Sequence, residues 1–147
     1  SPLLLDLLDH APQVTKILVM IQREVGERFV AKVGTPSYGI PSVKAQYWAE
    51  VAVVGHIPPK VFFPVPKVDS VLLQFSRRKN VEQVNLEVLW RLVRTGFGQR
   101  RKMLRKSLRK LVGTQDFVHA GLDPMLRPQD VTVEDWIVLA NVVGGEG

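Results

Sequence analysis

The chain has 147 residues, 46% of them hydrophobic and 23% charged, which is enough apolar material for a domain with its own core and excludes a disordered tail. It contains no Cys, which excludes a disulfide framework and a thiolate metal site, and no apolar run approaches the ~20 residues of a membrane span. The 20 Lys and Arg residues outnumber the 14 Asp and Glu residues, giving a net charge of +6, and the whole composition predicts a soluble, cytoplasmic protein.

The first half of the chain predicts a mixture of helices and strands. Short apolar runs indicate strands buried in a parallel sheet, and the alternating residues Val71, Leu73 and Phe75 indicate a further strand. The predicted helices cover residues 2–8, 23–31 and 42–49, the last capped by Ser42, and the predicted strands cover 16–21, 51–55 and 68–76. Turn residues predict a loop over 34–39, and four prolines predict a stiff extended loop over 57–66.

The second half is predicted to be helical, because the apolar period lengthens from about 2 to about 3.6 residues after a polar linker over 77–85. The predicted helices cover 86–97 with Asn85 as its cap, 101–112, 115–120 with Gly121 at its end, and a last helix that starts at Thr132 or Val133, runs to Val143 and is capped by Asp130 or Thr132. The fold class is therefore α/β followed by all-α. We place a first domain over 1–78 and a second, helical domain over 79–147.

Three strand candidates are too few for a complete doubly wound sheet, which usually has about five or more. The chain also begins at Ser1, without an initiator Met or a signal-peptide pattern. We therefore expect a processed or truncated product that lacks the N-terminal half of its sheet. Such a sheet has an exposed edge, so we expect either self-association through that edge or a partner chain that carries the first half.

Positive charge is concentrated in one stretch, which has no acidic residue between Glu87 and Asp116. On a helix over 101–112, the basic residues cover one half of the circumference, while Leu104 and Leu108 lie on the other half. Solvated helix faces usually mix both signs, because like charges four residues apart repel. The pattern favours a polyanionic partner over a solvated face or a membrane surface. The stretch holds nine of the 20 basic residues: Arg91, Arg94, Arg100, Arg101, Lys102, Arg105, Lys106, Arg109 and Lys110.

The other motifs in the sequence do not indicate a catalytic, cofactor or metal site. Gly96-Phe97-Gly98 follows a predicted helix and lacks a third glycine, so we reject it as a dinucleotide loop. The three histidines have no metal-like spacing, and we predict no metal site. Glu24 and Glu27 on one helix are candidate acid–base groups, but the pattern favours a solvated helix face.

The segment from Phe62 to Ser70 is more informative. Pro64 and Pro66 fix the backbone and reduce the entropy of the loop, and Lys67 places a cation beside the two phenylalanines. A rigid aromatic side chain suits stacking on a nucleobase. The residues alone leave open whether both phenylalanines belong to the core or whether one is exposed.

This segment resembles the Phe-x-Pro-x-Pro-x-Val-x-Ser motif of the rRNA adenine N6,N6-dimethyltransferases, which use S-adenosylmethionine (SAM). The rest of the chain is similar to the same family, and its helical part resembles the bacterial small-subunit branch. The matching stretches are Gln22-Arg23-Glu24-Val25 with Arg28, Tyr38-Gly39, Ser42-Val43 with Gln46, Phe97 with the residues Arg100 to Arg105, Ser107-Leu108, Arg127-Pro128, and the residues Val133 to Trp136.

The resemblance implies the second half of a Rossmann-like SAM-dependent methyltransferase sheet plus a small C-terminal helical domain. It implies that Phe62 stacks on the flipped target adenine while Pro64 and Pro66 shape its loop. It also implies that Arg100, Arg101 and Lys102 bind rRNA, on a surface extended by Arg105, Lys106 and Arg109. In this family the glycine-rich SAM loop and the Asn-Leu-Pro-Tyr motif lie upstream of the matching region, so no catalytic or cofactor-binding residue is expected in this chain.

The implied activity is dimethylation of two adjacent adenines near the 3′ end of small-subunit rRNA, with SAM as methyl donor, no metal and a role in ribosome biogenesis. We expect the 147-residue chain alone to be inactive. One alternative is a non-catalytic rRNA-binding or ribosome-assembly module. A second alternative is a large-subunit rRNA resistance methyltransferase, which the segment Arg100-Arg101-Lys102 and the pair Arg127-Pro128 argue against.

Overall fold

The computed structural model describes residues 2–144 and contains a sheet of three strands. The strands are β1 (Lys16–Gln22), β2 (Ala49–Ile57) and β3 (Ser70–Arg77), in the spatial order β1-β3-β2. Both outer strands pair antiparallel with β3, and Leu73 at the centre is opposite Val19 on one side and Val53 on the other. The expectation of a parallel sheet is wrong for these pairings. β1 and β2 run in the same direction, but β3 lies between them and runs in the opposite direction.

Three helices cover one face of this sheet: α1 (Pro2–His10), α2 (Arg23–Val30) and α3 (Ile40–Trp48). The alternation predicted for β3 is confirmed, since Val71, Leu73 and Phe75 are buried against these helices. The rings of Phe29 and Phe75 meet edge to face with centroids 5.5 Å apart. The core on this face consists of Leu4, Leu8, Phe29, Ala45, Ala49, Val71, Leu73 and Phe75.

The opposite face of the sheet carries exposed apolar side chains in the described part of the chain. Leu18 is 62% exposed and Met20 is 48% exposed, while Ile17, Val19 and Ile21 between and beside them are half-buried. The prediction that β1 is buried on both faces is therefore wrong here, because only one face is covered by helices. Val54 is also exposed, at a bulge in the pairing between β2 and β3.

The second half of the chain is helical, as predicted. Its helices are α4 (Leu86–Phe97), α5 (Leu104–Ser107), α6 (Thr114–Ala120) and α7 (Val133–Val143). The side chain of Asn85 accepts a hydrogen bond from the Val88 amide at 3.3 Å, which confirms the predicted cap of α4. Gly121 ends α6 in the left-handed region at φ 64°, as its residue type predicts. In the first half, α3 begins earlier than predicted, and the Ser42 hydroxyl accepts a hydrogen bond from the Gly39 amide.

The predicted continuous helix over 101–112 is wrong. Only Leu104–Ser107 is helical, with turns on either side of it. The amides of Leu104 and Arg105 donate instead to the carbonyls of Leu126 and Pro124, at 2.8 and 2.9 Å. A long helix here would place Lys and Arg residues four apart on one face with no acid to offset their repulsion, and these tertiary hydrogen bonds replace the helical ones.

A second core cluster joins the helices to residues of the first half. Tyr38, Val43 and Tyr47 lie in this cluster together with residues of α4 and α7, including Phe97 and Trp136. The Tyr38 hydroxyl donates to the Val131 carbonyl at 2.7 Å, and its ring meets Phe97 edge to face at 6.0 Å. The predicted domain boundary after residue 78 stays a prediction, and the packing described here crosses it.

Within residues 2–144, no helix is long and apolar enough to cross a membrane.

We expect Tyr38→Phe to lower the free energy of unfolding by about 1–3 kcal/mol, because it leaves the buried Val131 carbonyl without a donor. Burial, reinforced by Glu134 and Asp135, raises the pKa of the Tyr38 phenol well above its usual value. The hydroxyl therefore stays protonated in the folded chain. Its contribution is fully present below the ordinary tyrosine pKa of about 10 and declines as pH rises above that value. Urea unfolding at neutral pH measures the loss of unfolding free energy in Tyr38→Phe.

The matched control is Tyr47→Phe. The Tyr47 hydroxyl donates at 2.8 Å to the Glu82 carbonyl in a part-buried site. Water can reach that carbonyl more easily, so we expect a smaller loss of about 0.5–1.5 kcal/mol. An equal loss of unfolding free energy in the two variants would contradict the claim that the buried hydrogen bond of Tyr38 stabilises the fold more than that of Tyr47.

Candidate nucleic-acid interface

Five of the exposed basic side chains in the helical half lie on or beside α5, and we call them the basic surface: Arg101, Lys102, Arg105, Lys106 and Arg109. Beneath them Leu104, Ser107 and Leu108 are buried, so the division into a basic half and an apolar half is confirmed although the long helix is not. The short helix α5 and its flanking turns preserve the same two faces because each turn repeats at nearly the same spacing as a helix.

Two adjoining depressions run beside the basic surface and share Arg101, Lys102 and Arg127 in their walls. Gln129 completes one of them, and Lys106 lines the other. The charge pattern of the sequence does not point to Arg127, because this residue lies 17 residues beyond Lys110, where the basic stretch ends. The only signal was its place in the pair Arg127-Pro128. The arrangement brings three cations from two distant segments to one concave surface.

The charges of the basic surface have no acidic partner among the ion pairs of residues 2–144. All the pairs found there involve Arg23, Arg28 or Arg78 from the first half of the chain. Asp130 lines one of the two depressions, but its carboxylate accepts a hydrogen bond from the Arg127 amide at 3.3 Å. The surface therefore has an excess of positive charge, which attracts an extended polyanion.

Arg100 differs from its neighbours because it is only partly exposed and is engaged within the chain. Its guanidinium donates to the carbonyls of Tyr38 at 2.9 Å and Pro36 at 3.3 Å. It also lies over the ring of Phe97, 5.2 Å from the centroid. These contacts tie the turn after α4 to the loop before α3, so Arg100 holds the basic surface against the first half of the chain.

The connection from β2 to β3, residues 58–69, forms the proline-rich loop. Phe62 is half-buried and belongs to neither core cluster, while Phe63 is 99% exposed. Pro64 is exposed and Pro66 is half-buried. Of the alternatives left open by the sequence, the structure therefore supports one exposed phenylalanine, with Phe62 in an intermediate position. The loop and the basic surface belong to different elements and line none of the same depressions described here.

A further depression lies between α3 and the start of α7 and has walls of mixed charge. Lys32 and Arg78 line it together with Glu82 and Glu134. Tyr47 also lines it, and burial, with a smaller effect of Glu82, raises the pKa of that phenol. Because both signs are present, this depression does not favour a polyanion in the way the basic surface does.

The two glycines near the end of α4 have a packing role. The pair Gly96 and Gly98 stands at the end of α4 rather than between a strand and a helix, as the sequence predicts. A Cβ atom on Gly96 would lie 2.9 Å from the Trp136 ring, so this glycine allows α4 and α7 to pack closely. Within residues 2–144, no group of three or more His, Cys, Asp or Glu side chains is placed to hold a metal ion.

Comparison with known proteins gives matches over nearly the whole chain. The family model described as "Ribosomal RNA adenine dimethylase" matches residues 1–143. The chain is 37% identical to "Ribosomal RNA small subunit methyltransferase A" of Bifidobacterium adolescentis, over 97% of this chain and 50% of that protein. It is 40% identical to the protein of the same name from Kineococcus radiotolerans, over 95% of this chain and 48% of that protein.

Two solved structures share the fold. A dimethyladenosine transferase from Plasmodium falciparum gives a TM-score of 0.82 at 22% identity, covering 94% of this chain and 60% of that one. The 23S rRNA methyltransferase ErmE gives 0.72 at 22% identity, covering 97% of this chain and 60% of that one. These likenesses confirm the predicted fold class, a partial Rossmann-like methyltransferase sheet with helices.

The chain spans about half the length of the curated relatives it matches. The match of the family model over residues 1–143, together with these relatives, confirms the resemblance drawn from the motifs. The chain belongs to the ribosomal RNA adenine dimethylase family.

Proposed function

We propose that this chain is the C-terminal part of an enzyme that dimethylates N6 of two adjacent adenines near the 3′ end of small-subunit rRNA, in the cytoplasm and during ribosome biogenesis. The observation that carries the proposal is the basic surface, whose uncompensated charges stand beside two depressions in a chain of this family. This chain would bind and orient the RNA, and the chemical step would depend on residues outside it.

The basic surface would bind the rRNA backbone. Arg101, Lys102 and Arg127 stand around one concave region, where arginine side chains can each donate two hydrogen bonds to a phosphate. Lys106 adds a compact charge to the same region, and Arg105 and Arg109 extend it along α5 and the turn that follows. Phosphate contacts of this kind position an RNA without reading its sequence.

Phe62 would stack on the flipped target adenine. A base inside a helix hides its amino nitrogen, so a methyltransferase must extrude it and hold it against a flat partner. Phe62 sits in the proline-rich loop at the end of the β2–β3 hairpin, half-buried and therefore restricted in its motion. Pro64 and Pro66 would keep the loop in shape.

SAM would be the methyl donor of the whole enzyme. The resemblance implies that the glycine-rich SAM loop and the Asn-Leu-Pro-Tyr motif lie upstream of this region, so we assign none of these residues to cofactor binding or to proton transfer. The exposed apolar face of the sheet, with Leu18 and Met20, would be covered by the remaining part of the enzyme. In the isolated chain, two copies would instead associate through the edge of β1.

A second candidate function is a non-catalytic rRNA-binding or ribosome-assembly module. It is favoured by the fact that all five residues of the basic surface lie in this chain. Action on large-subunit rRNA is less well supported, because the small-subunit methyltransferases named above match at 37–40% identity and the 23S rRNA methyltransferase at 22%.

We expect the double substitution Arg101→Ala with Lys102→Ala to weaken binding of an RNA stem-loop from the 3′ end of small-subunit rRNA. Each lost phosphate contact should reduce the slope of log affinity against log salt by roughly 0.7–0.9. Fluorescence anisotropy at several salt concentrations measures this slope. Lys79→Ala removes an exposed charge from the linker and serves as the matched control.

Arg100→Ala should behave differently. Arg100 lines one of the two depressions but is engaged with the carbonyls of Tyr38 and Pro36. We therefore expect a lower thermal unfolding midpoint and a smaller loss of salt slope than in the Arg101 and Lys102 variant, at a temperature where the Arg100 variant is folded. An unchanged slope in the Arg101 and Lys102 variant, or an effect equal to that of Lys79→Ala, would contradict the assigned surface.

We expect the 147-residue polypeptide alone to transfer no methyl groups. The assay follows transfer of a radiolabelled methyl group from SAM to purified small ribosomal subunits. A full-length small-subunit methyltransferase of the same family provides the positive control. Transfer by this chain above background, lost when the RNA is omitted, would show that the expectation of inactivity is wrong.

A further inference from the structure

The side chain of Phe63 is 99% exposed, which is unusual for a residue of its size. A phenylalanine gains roughly 1.5–3 kcal/mol when it is fully buried, so leaving it in water gives up that stabilisation. The neighbouring Phe62 is half-buried, so the two rings do not share one environment. The exposed ring has no packing role within residues 2–144.

The proline-rich loop holds this ring on a restrained backbone. Its stem is fixed by the pairing of Ile57 with Ser70 and by the Arg23 amide, which donates to the Asp69 carbonyl at 2.9 Å. The Phe62 amide donates to the Pro59 carbonyl at 3.1 Å, closing a turn next to Phe63. A ring presented on such a loop loses little conformational entropy when it binds a partner.

The charges around the ring favour an anionic partner. Lys60 and Lys67 are both exposed and lie on either side of Phe63 in the sequence. Asp69 is the only acidic residue from 57 to 69, and its carboxylate pairs with Arg23 at 3.2 Å. An exposed aromatic ring flanked in the sequence by two exposed cations, with no unpaired acid in the loop, is a combination that proteins use to bind single-stranded nucleic acids.

We propose that Phe63 stacks on an unpaired RNA base while Lys60 and Lys67 contact the adjoining phosphates, as a second base contact separate from that of Phe62. This inference rests on the proposed function and adds a second base-contacting residue to it. A protein surface could also cover an exposed phenylalanine, but it would use the exposed valines Val61 and Val65 as readily as the ring. A base would use the ring alone.

The test is binding of fluorescein-labelled oligoadenylate to the 147-residue chain, followed by anisotropy at one low salt concentration. We expect Phe63→Ala to weaken binding roughly 5-fold to 150-fold, which corresponds to the loss of one base–aromatic stack. Phe63→Tyr should bind like the wild type. Val61→Ala and Val65→Ala remove apolar side chains of 61% exposure from the same loop and should leave binding unchanged.

Phe63→Trp gives a direct readout of contact. We expect its emission to be quenched by oligoadenylate beyond any change shown by the three native tryptophans in the wild-type chain. The Phe63→Ala variant should unfold at the wild-type temperature, because the ring packs on nothing within the described chain.

The inference is overturned if Phe63→Ala binds oligoadenylate as the wild type does, or if Val61→Ala and Val65→Ala weaken binding equally, which would indicate a protein-type surface. It is also overturned if the wild-type chain does not bind oligoadenylate. The proposed function is tested separately, by binding of the stem-loop RNA to the Arg101 and Lys102 variant. If that variant binds the stem-loop more weakly while Phe63→Ala changes nothing, only the inference about Phe63 is rejected.

Discussion

The buried contact of Tyr38 with the helical half determines how the basic surface stands relative to the sheet. Tyr38 donates to the Val131 carbonyl ahead of α7 and packs against Phe97 at the end of α4. Arg100 lies on the other side of Phe97 and donates back to the Tyr38 carbonyl. These contacts link the loop before α3, the end of α4 and the start of α7. The two halves of the chain therefore present their surfaces in a fixed relation, since buried hydrogen bonds and packed rings tolerate little displacement.

Much of the fold follows from local patterns in the sequence. The alternation of Val71, Leu73 and Phe75 and the cap at Asn85 were sufficient to place β3 and the start of α4. The pairing direction could not be obtained in the same way, because an apolar run such as Lys16–Gln22 fits either kind of sheet. The sequence also could not predict that only part of 101–112 is helical. Short turns produce the same spacing of apolar residues as a helix, and the carbonyls of Leu126 and Pro124 that accept from the Leu104 and Arg105 amides belong to a distant segment.

The candidate site was predictable where the chemistry is local and not where it depends on packing. The exposed charges of Arg101, Lys102, Arg105, Lys106 and Arg109 follow from the amphipathic pattern of one short stretch. Arg127 reaches the same depressions only through the fold, and Arg100 is turned toward Tyr38 by the same packing. Phe62 and Phe63 are adjacent in the sequence, yet one is half-buried and the other is 99% exposed, a difference that their residue types do not predict.

Ultraviolet cross-linking of this chain to purified ribosomal subunits, with the linked peptides and nucleotides identified by mass spectrometry, tests whether the chain binds small-subunit rRNA through these surfaces. We expect cross-links from peptides that contain Phe62 and Phe63 and from the segment over 98–106, to small-subunit rRNA near its 3′ end. Cross-links confined to the sheet face around Leu18 and Met20, or equal cross-linking to large-subunit rRNA, would contradict it.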